Sequence, residues 1–343
     1  MSTGIDRLSP FLPGLEDVLA DMAVSELMIN GPHNVWVERT GQGLRPADAP
    51  GLDKDTLYRA AIHIARPLGL DPTVSPTIDA RLEDGSRVAI CVPPASPHVA
   101  ITIRRFGKRA FTAEDLVAAG SLPPSLFEAA RQTLAARRNI LVSGGTGTGK
   151  TTVVNALIGL LPPDERIVSI EDTLELRIEQ PNTVRFEARE ADTQDSHTRP
   201  ITVRSLVKHS LRHRPDHIVV GEIRGAEAAD LLQALNTGHG GSLTTIHANT
   251  AVSALSRLAS CAMAARDALP WEVVCRSVVD GIALVLHTAR VRGRRVVENG
   301  IYVRGWRVDD NSWLTEDAAT GAPPQHCACS RSRPRASSSA WAP

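Results

Sequence analysis

The sequence predicts an α/β protein: a mainly parallel sheet domain covered by helices, preceded by a smaller N-terminal α+β domain. Three observations predict it. From Asn139 onward, short apolar runs suited to buried strands alternate with helix-compatible stretches, the grammar of a parallel sheet covered on both faces. Before about residue 107 the apolar runs are separated by tight turns, the grammar of hairpins. At 343 residues, 42% hydrophobic and 22% charged, the chain has room for two domains and the composition of a folded globular protein.

The first domain, with its linker, is read over residues 1–122. Residues 27–29 and 35–37 flank Gly31, Pro32 and Asn34 as a hairpin. A second turn at Glu83, Asp84 and Gly85 leads into an apolar run over 87–92, and residues 101–106 alternate after the break at Pro93 and Pro94. A linker is expected over 107–123, where Gly107, Gly120 and Pro123 cluster.

The sheet domain is read over residues 123–310. Strands are expected at 140–143, 167–170, 218–220 and 243–246, helices at 151–161, 202–212 and 226–236, and a last pairing region at 282–287, 295–297 and 301–303. Residues 311–343 are read as a disordered tail, because beyond about residue 318 the text is rich in Pro, Ser and Arg and has no hydrophobic period.

Composition narrows the function classes. A net charge of +0 and 3% aromatics offer neither a basic field nor stacking platforms, so no sequence-specific nucleic-acid binding is expected. Five cysteines in no CxxC pairing read as reduced and structural. No basic start followed by an apolar core opens the chain, and no apolar run approaches the roughly 18 residues of a membrane span, so a cytoplasmic protein is expected.

The chemistry is concentrated in residues 144–152. Gly144, Gly145, Thr146, Gly147, Thr148, Gly149, Lys150 and Thr151 satisfy GxxxxGK[ST], with an apolar strand before them and a helix-compatible run opening at Thr152. Glycines let successive backbone N–H groups wrap a phosphate, and the helix start adds its positive dipole end. Lys150 would neutralise the β- and γ-phosphates of ATP or ADP, and the Thr151 hydroxyl would ligate Mg²⁺. Lysine occurs only at positions 54, 108, 150 and 208 in an otherwise arginine-based chain, which sharpens the reading of Lys150. A plain strand-to-helix turn would not require four glycines with lysine and threonine in register.

Hydrolysis also needs a group that orients water and charge that holds magnesium. Glu222 ends an apolar strand at the sheet edge where open α/β sheets bind ligands, with Gly221 standing where an Asp is usual. Glu171 and Asp172 end a second such strand, with Glu175 one helical turn on; the bland alternative is that Asp172 and Thr173 cap a turn. The metal set is therefore Thr151, Glu171 and Glu222. His239 and His247 lie on either side of a short strand. From the residues alone, a hydrogen-bonded buried histidine and a phosphate sensor are equally open, and metal ligation is the poorest fit because no third ligand stands at ligand spacing.

Taken together, the loop, then IEDTLEL, then RHRPDHIVVGEIRGAEAADLLQALNTG, then GHGGSLTTIHANT resemble the type II/IV secretion ATPase superfamily with its P-loop, Asp box, atypical Walker B and His box in that order. SELMINGPHNVWVER, RLEDGSRV and ITIRRF are similar to its N-terminal domain, extending the resemblance from about residue 15 to 305. The FTAEDLVAAG and ARRNILVSGGTGTGKTT segments look most like conjugal-transfer ATPases of the TrbB type, whereas the His box reads closer to Flp/Tad pilus-assembly motors. The resemblance implies a RecA-like sheet domain and a Mg²⁺-dependent ATPase. It further implies a homohexameric ring docked on inner-membrane secretion or pilus machinery, peripheral to the inner face of the cytoplasmic membrane. It assigns water polarisation to Glu222 and the Asp-box role to Glu171, makes His247 a candidate γ-phosphate sensor, and places Arg104 and Arg105 where such motors present arginines to the triphosphate. The rival from another class, a RecA-like nucleic-acid motor, would use the same loop but finds little basic or aromatic surface here.

Overall fold

The computed structural model describes residues 4–39, 42–105, 111–189, 200–267 and 269–322, and the chain divides into two compact units, residues 1–109 and 110–343.

In the first unit a 3₁₀ turn over Gly4–Phe11 and a short helix α1 (Glu16–Ala20) precede strands β1 (Val24–Ile29), β2 (Val35–Arg39) and β3 (Gly43–Ala47). Helix α2 (Lys54–Ala65) follows, then β4 (Thr77–Arg81), β5 (Arg87–Cys91) and β6 (Ala100–Arg104). The six strands form one antiparallel sheet in the order β3-β2-β1-β6-β5-β4. Leu27, Ile29, Val88, Ile90, Ile101 and Ile103, alternating along their strands, share one core with Leu57, Ala60, Ala61 and Ile64 of α2, which recur at helical spacing. Asp53 caps α2, its side chain accepting from Thr56 N at 2.7 Å. The expected strand over 101–106 is β6; Phe106 lies outside the described residues.

The second unit opens with α3 (Ala113–Ala118) and α4 (Pro124–Ala135) and then β7 (Ile140–Gly144), α5 (Lys150–Ile158), β8 (Ile167–Glu171), β9 (Thr183–Glu187) and α6 (Val203–Ser210). It continues through β10 (His217–Ile223), α7 (Glu227–Leu235), β11 (Leu243–His247), α8 (Ala251–Met263) and α9 (Trp271–Gly281), and ends with β12 (Leu284–Val291), β13 (Arg294–Arg307) and β14 (Ser312–Asp317). Where a linker is expected over 107–123, residues 106–110 lie outside the described set and the rest carries α3. The Leu116 and Leu122 side chains pack with Ile140, Val154 and Leu286, so this segment belongs to the second core.

The sheet order is β14-β13-β12-β7-β11-β10-β8-β9. Every pairing from β12 across to β9 is parallel, and β13 and β14 extend the sheet antiparallel. Each central strand is buried on both sides, and the alternation is exact: Ile140 and Val142 face one core cluster while Leu141 faces the other. Because the parallel strands point the same way, Gly144, Glu171, Glu222 and His247 arrive at one carboxyl edge.

The tail expectation for 311–343 needs correction at its start. Residues 312–317 are β14, paired with β13 through Trp306↔Trp313 and Tyr302↔Glu316. Trp306 and Trp313 pack with centroids 4.6 Å apart and planes tilted by 60°, and Trp313 Nε1 donates to Ser256 Oγ at 2.9 Å, so aromatic packing holds a strand that has little apolar period. Residues 323–343 lie outside the described set.

Candidate active site

The loop between β7 and α5 is built around glycine. Gly144 has φ +151°, and a Cβ there would stand 2.3 Å from Thr288 Oγ1 on β12 and 2.7 Å from Thr148 Oγ1. Only a residue without a side chain lets the loop leave β7 this close to its neighbour. Gly149 caps α5 at φ +101°, the left-handed turn that brings the chain into the helix. Thr288 also donates to Ser143 O at 3.0 Å and lies 2.8 Å from Thr148 Oγ1, so β12 pins both ends of the loop.

Lys150, at the first position of α5, is 8% exposed. Its ammonium donates to Gly144 O at 3.2 Å and Gly145 O at 2.9 Å and lies 3.4 Å from each ring nitrogen of His247. Burial lowers its pKa, opposed by the Glu222 charge. Thr151 is half-buried one residue on.

Glu222 sits where the β10–β11 register shifts between Val220 and Ile223. The bulge re-aims the carboxylate, and Thr245 Oγ1 holds it by donating to Gly221 O at 2.6 Å. One carboxylate oxygen, Oε2, accepts from Arg224 Nη2 at 2.8 Å and Nε at 3.1 Å. The other, Oε1, is buried and makes no hydrogen bond, although His247 Nε2 lies 2.7 Å away. Burial, and then the Lys150 charge, hold the His247 pKa below its ordinary value, with Glu222 pulling the other way, so the site favours the neutral ring.

Glu171 is placed differently from expectation. Its side chain is 3% exposed, and Oε2 accepts from Glu175 N at 2.6 Å and Leu176 N at 2.7 Å, while Oε1 faces Arg185 Nη2 at 3.4 Å. Glu171 thus anchors the loop after β8, which has no regular secondary structure where a helical turn carrying Glu175 is expected. Oε2 is held by two backbone donors and Oε1 faces a guanidinium, so Glu171 serves the loop whether or not it also meets a metal ion. Burial raises its pKa against the pull of those same donors. This packing is also tight at Gly221: a Cβ there would stand 3.1 Å from Glu171 Cγ, so a side chain at that position would need Glu171 to give way by a few tenths of an ångström.

Of the other sequence candidates, His239 bonds the Ala234 carbonyl through Nδ1 at 3.1 Å and serves the turn before β11. Arg104 and Arg105 belong to the first unit. Arg104 is 56% exposed and pairs with Glu26 at 3.3 Å; Arg105 donates to Leu19 O and lies 3.3 Å from Met22 Sδ.

The site also contains residues not assigned from sequence. Arg224 stands directly after β10, two residues past Glu222, and that nearness could have singled it out. Thr245 and Thr288 become visible only through strand pairing, and Arg185 only through β9.

The arrangement fits a phosphate-bearing nucleotide: a glycine cradle that a Cβ would fill, a buried ammonium beside it, and a carboxylate oxygen without a hydrogen-bond partner. Among the described residues no group of three or more His, Cys, Asp or Glu could hold a metal ion; a magnesium ion here would take its oxygens from the Thr151 hydroxyl and the bound phosphates.

The family model described as "Type II/IV secretion system protein" matches residues 14–287. The conjugal transfer protein TrbB of Rhizobium radiobacter is 36% identical over 306 residues, covering 88% of this chain and 90% of that protein. The type IV secretion system protein VirB11 of Brucella suis biovar 1 is 31% identical, covering 93% and 92%. Among solved structures, the Legionella pneumophila ATPase DotB superposes with a TM-score of 0.59 at 21% identity, covering 82% of this chain and 77% of that one, a likeness of fold.

Proposed function

The chain belongs to the type II/IV secretion system protein family and is one of its ATP-hydrolysing motors, and from that premise we propose how its residues carry out the reaction. One observation carries the reading: Lys150, His247 and Glu222 converge beside the 144–152 loop at the carboxyl edge of the parallel sheet.

In this reading the loop amides and Lys150 hold the β- and γ-phosphates of ATP. Mg²⁺, held by Thr151 and the phosphate oxygens, supplies further charge against them when bound. Glu222 Oε1 orients a water on the γ-phosphorus and takes its proton, as the new P–O bond forms and the bond to the β,γ-bridging oxygen breaks. Neutral His247 donates a hydrogen bond to the γ-phosphate and so distinguishes ATP from ADP. Glu171 keeps the loop beside Glu222 in place.

The motor is assigned to conjugal transfer rather than pilus assembly, supported by the likeness to TrbB across about nine-tenths of both chains. It acts as a homohexamer on inner-membrane secretion components, from the cytoplasmic face. No helix among the described residues is long and apolar enough to cross a membrane.

Lys150→Ala tests the site. ADP and ATP affinity should collapse while the melting temperature of the nucleotide-free protein holds or rises, because burial disfavours the ammonium that is removed. Undiminished nucleotide binding would refute the placement of the phosphates.

A further inference from the structure

We propose that Arg224 is a positioning residue that fixes the plane of the Glu222 carboxylate, and so the place where its other oxygen meets the attacking water; the inference rests on the water-polarising role given to Glu222 above. A glutamate carboxylate rotates about its last bond with little preference, so its plane is free to turn unless one oxygen is tied. Here one is tied. Arg224 addresses Oε2 with two donors, Nη2 at 2.8 Å and Nε at 3.1 Å, and leaves Oε1 without a hydrogen bond beside Lys150 and His247.

The guanidinium is itself held from a second direction. Its Nη1 lies 3.0 Å from Asp172 Oδ2, and its backbone N–H donates to Glu227 Oε1 at 2.6 Å at the start of α7. A planar fork can span two carboxylates at fixed angles, and lysine cannot. Arg224 thereby links the loop after β8, which Glu171 anchors, to the carboxylate at the end of β10. The side chain is 67% exposed, so its contribution is geometric more than electrostatic.

The experiment is a double-mutant cycle on the full chain with Mg²⁺ and ATP, comparing turnover, KM and ADP affinity for Arg224→Ala, Arg224→Lys, Glu222→Gln and the double variant. Arg224→Ala should lower kcat by up to roughly 10²-fold, the cost of a misplaced reacting group, with ADP affinity within about twofold of wild type. Arg224→Lys should recover only part of the rate. The double variant should turn over at the rate of Glu222→Gln alone, since two residues acting through one group are not additive. If Arg224→Ala proves unstable, Asp172→Asn loosens the same fork and should lower kcat in the same sense. A wild-type rate in Arg224→Ala beside an impaired Glu222→Gln would overturn the inference alone, as would losses that multiply in the double variant. A wild-type rate in Glu222→Gln would instead remove the role of Glu222, and the inference with it.

Discussion

Replacing Glu171 by alanine removes the acceptor of two backbone N–H groups, whereas replacing it by glutamine removes only the charge, and the pair separates an anchoring role from a metal-ligating one. Oε2 accepts at 2.6 and 2.7 Å from Glu175 and Leu176 in a nearly inaccessible site. Hydrogen bonds to a charged acceptor contribute roughly 1.5–3 kcal/mol each, about 3–6 kcal/mol for the two. Burial offsets part of this, as the raised pKa of the carboxyl indicates. A net loss of about 2–3 kcal/mol for Glu171→Ala lowers the melting temperature of a unit of this size by about 4–12 °C. Glu171→Gln retains an amide oxygen for the same N–H groups and should lose about 1 kcal/mol or less. Thermal melts of both variants, read beside ATPase rates titrated with Mg²⁺, decide the matter. Anchoring predicts a destabilised alanine variant, and a glutamine variant with near wild-type turnover and Mg²⁺ requirement. A glutamine variant that melts like wild type but needs far more Mg²⁺ would refute the reasoning and return Glu171 to the metal.

Two further expectations concern the loop and its histidine. Gly144→Ala places a Cβ 2.3 Å from Thr288 Oγ1; the overpacking should cost about 1–3 kcal/mol and abolish ADP binding by displacing the loop, as read by thermal melts and nucleotide titration. His247 has its pKa lowered in the folded chain, so the unfolded chain binds that proton more readily and the stability carried by the neutral ring, present above the ordinary histidine pKa, is lost as pH falls through the folded value. Between about pH 8 and about pH 5, wild type should therefore lose more stability than His247→Gln; equal losses in parallel melts would count against it.

The second unit was legible where chemistry and burial share one signal. Its central strands are apolar runs that end on the residues of the site, so strand, edge and carboxylate are read together at Glu222 and Glu171. The loop at 144–152 carries its own pattern. What stayed hidden depends on partners remote in sequence. The anchoring role of Glu171 is hidden because its partners are backbone N–H groups, which leave no trace in residue type. Thr288 reaches the loop only because β12 pairs with β7. Strand β9 has no fully buried residue and lacks the apolar run that marks the other parallel strands. Strand β14 is held by tilted, packed tryptophans rather than by alternation, which is why residues 311–317 read as tail.

The central claim is that Glu222, through its Oε1, polarises the water that attacks ATP bound at the 144–152 loop. Its most direct test is the turnover of Glu222→Gln measured against ATP affinity in the same preparation. The amide keeps the shape of the side chain but is a poor base, and loss of a positioned base costs roughly 10²–10⁴ in rate. The account predicts ATP affinity close to wild type with turnover reduced on that scale; collapsed affinity with a normal rate per bound ATP would contradict it.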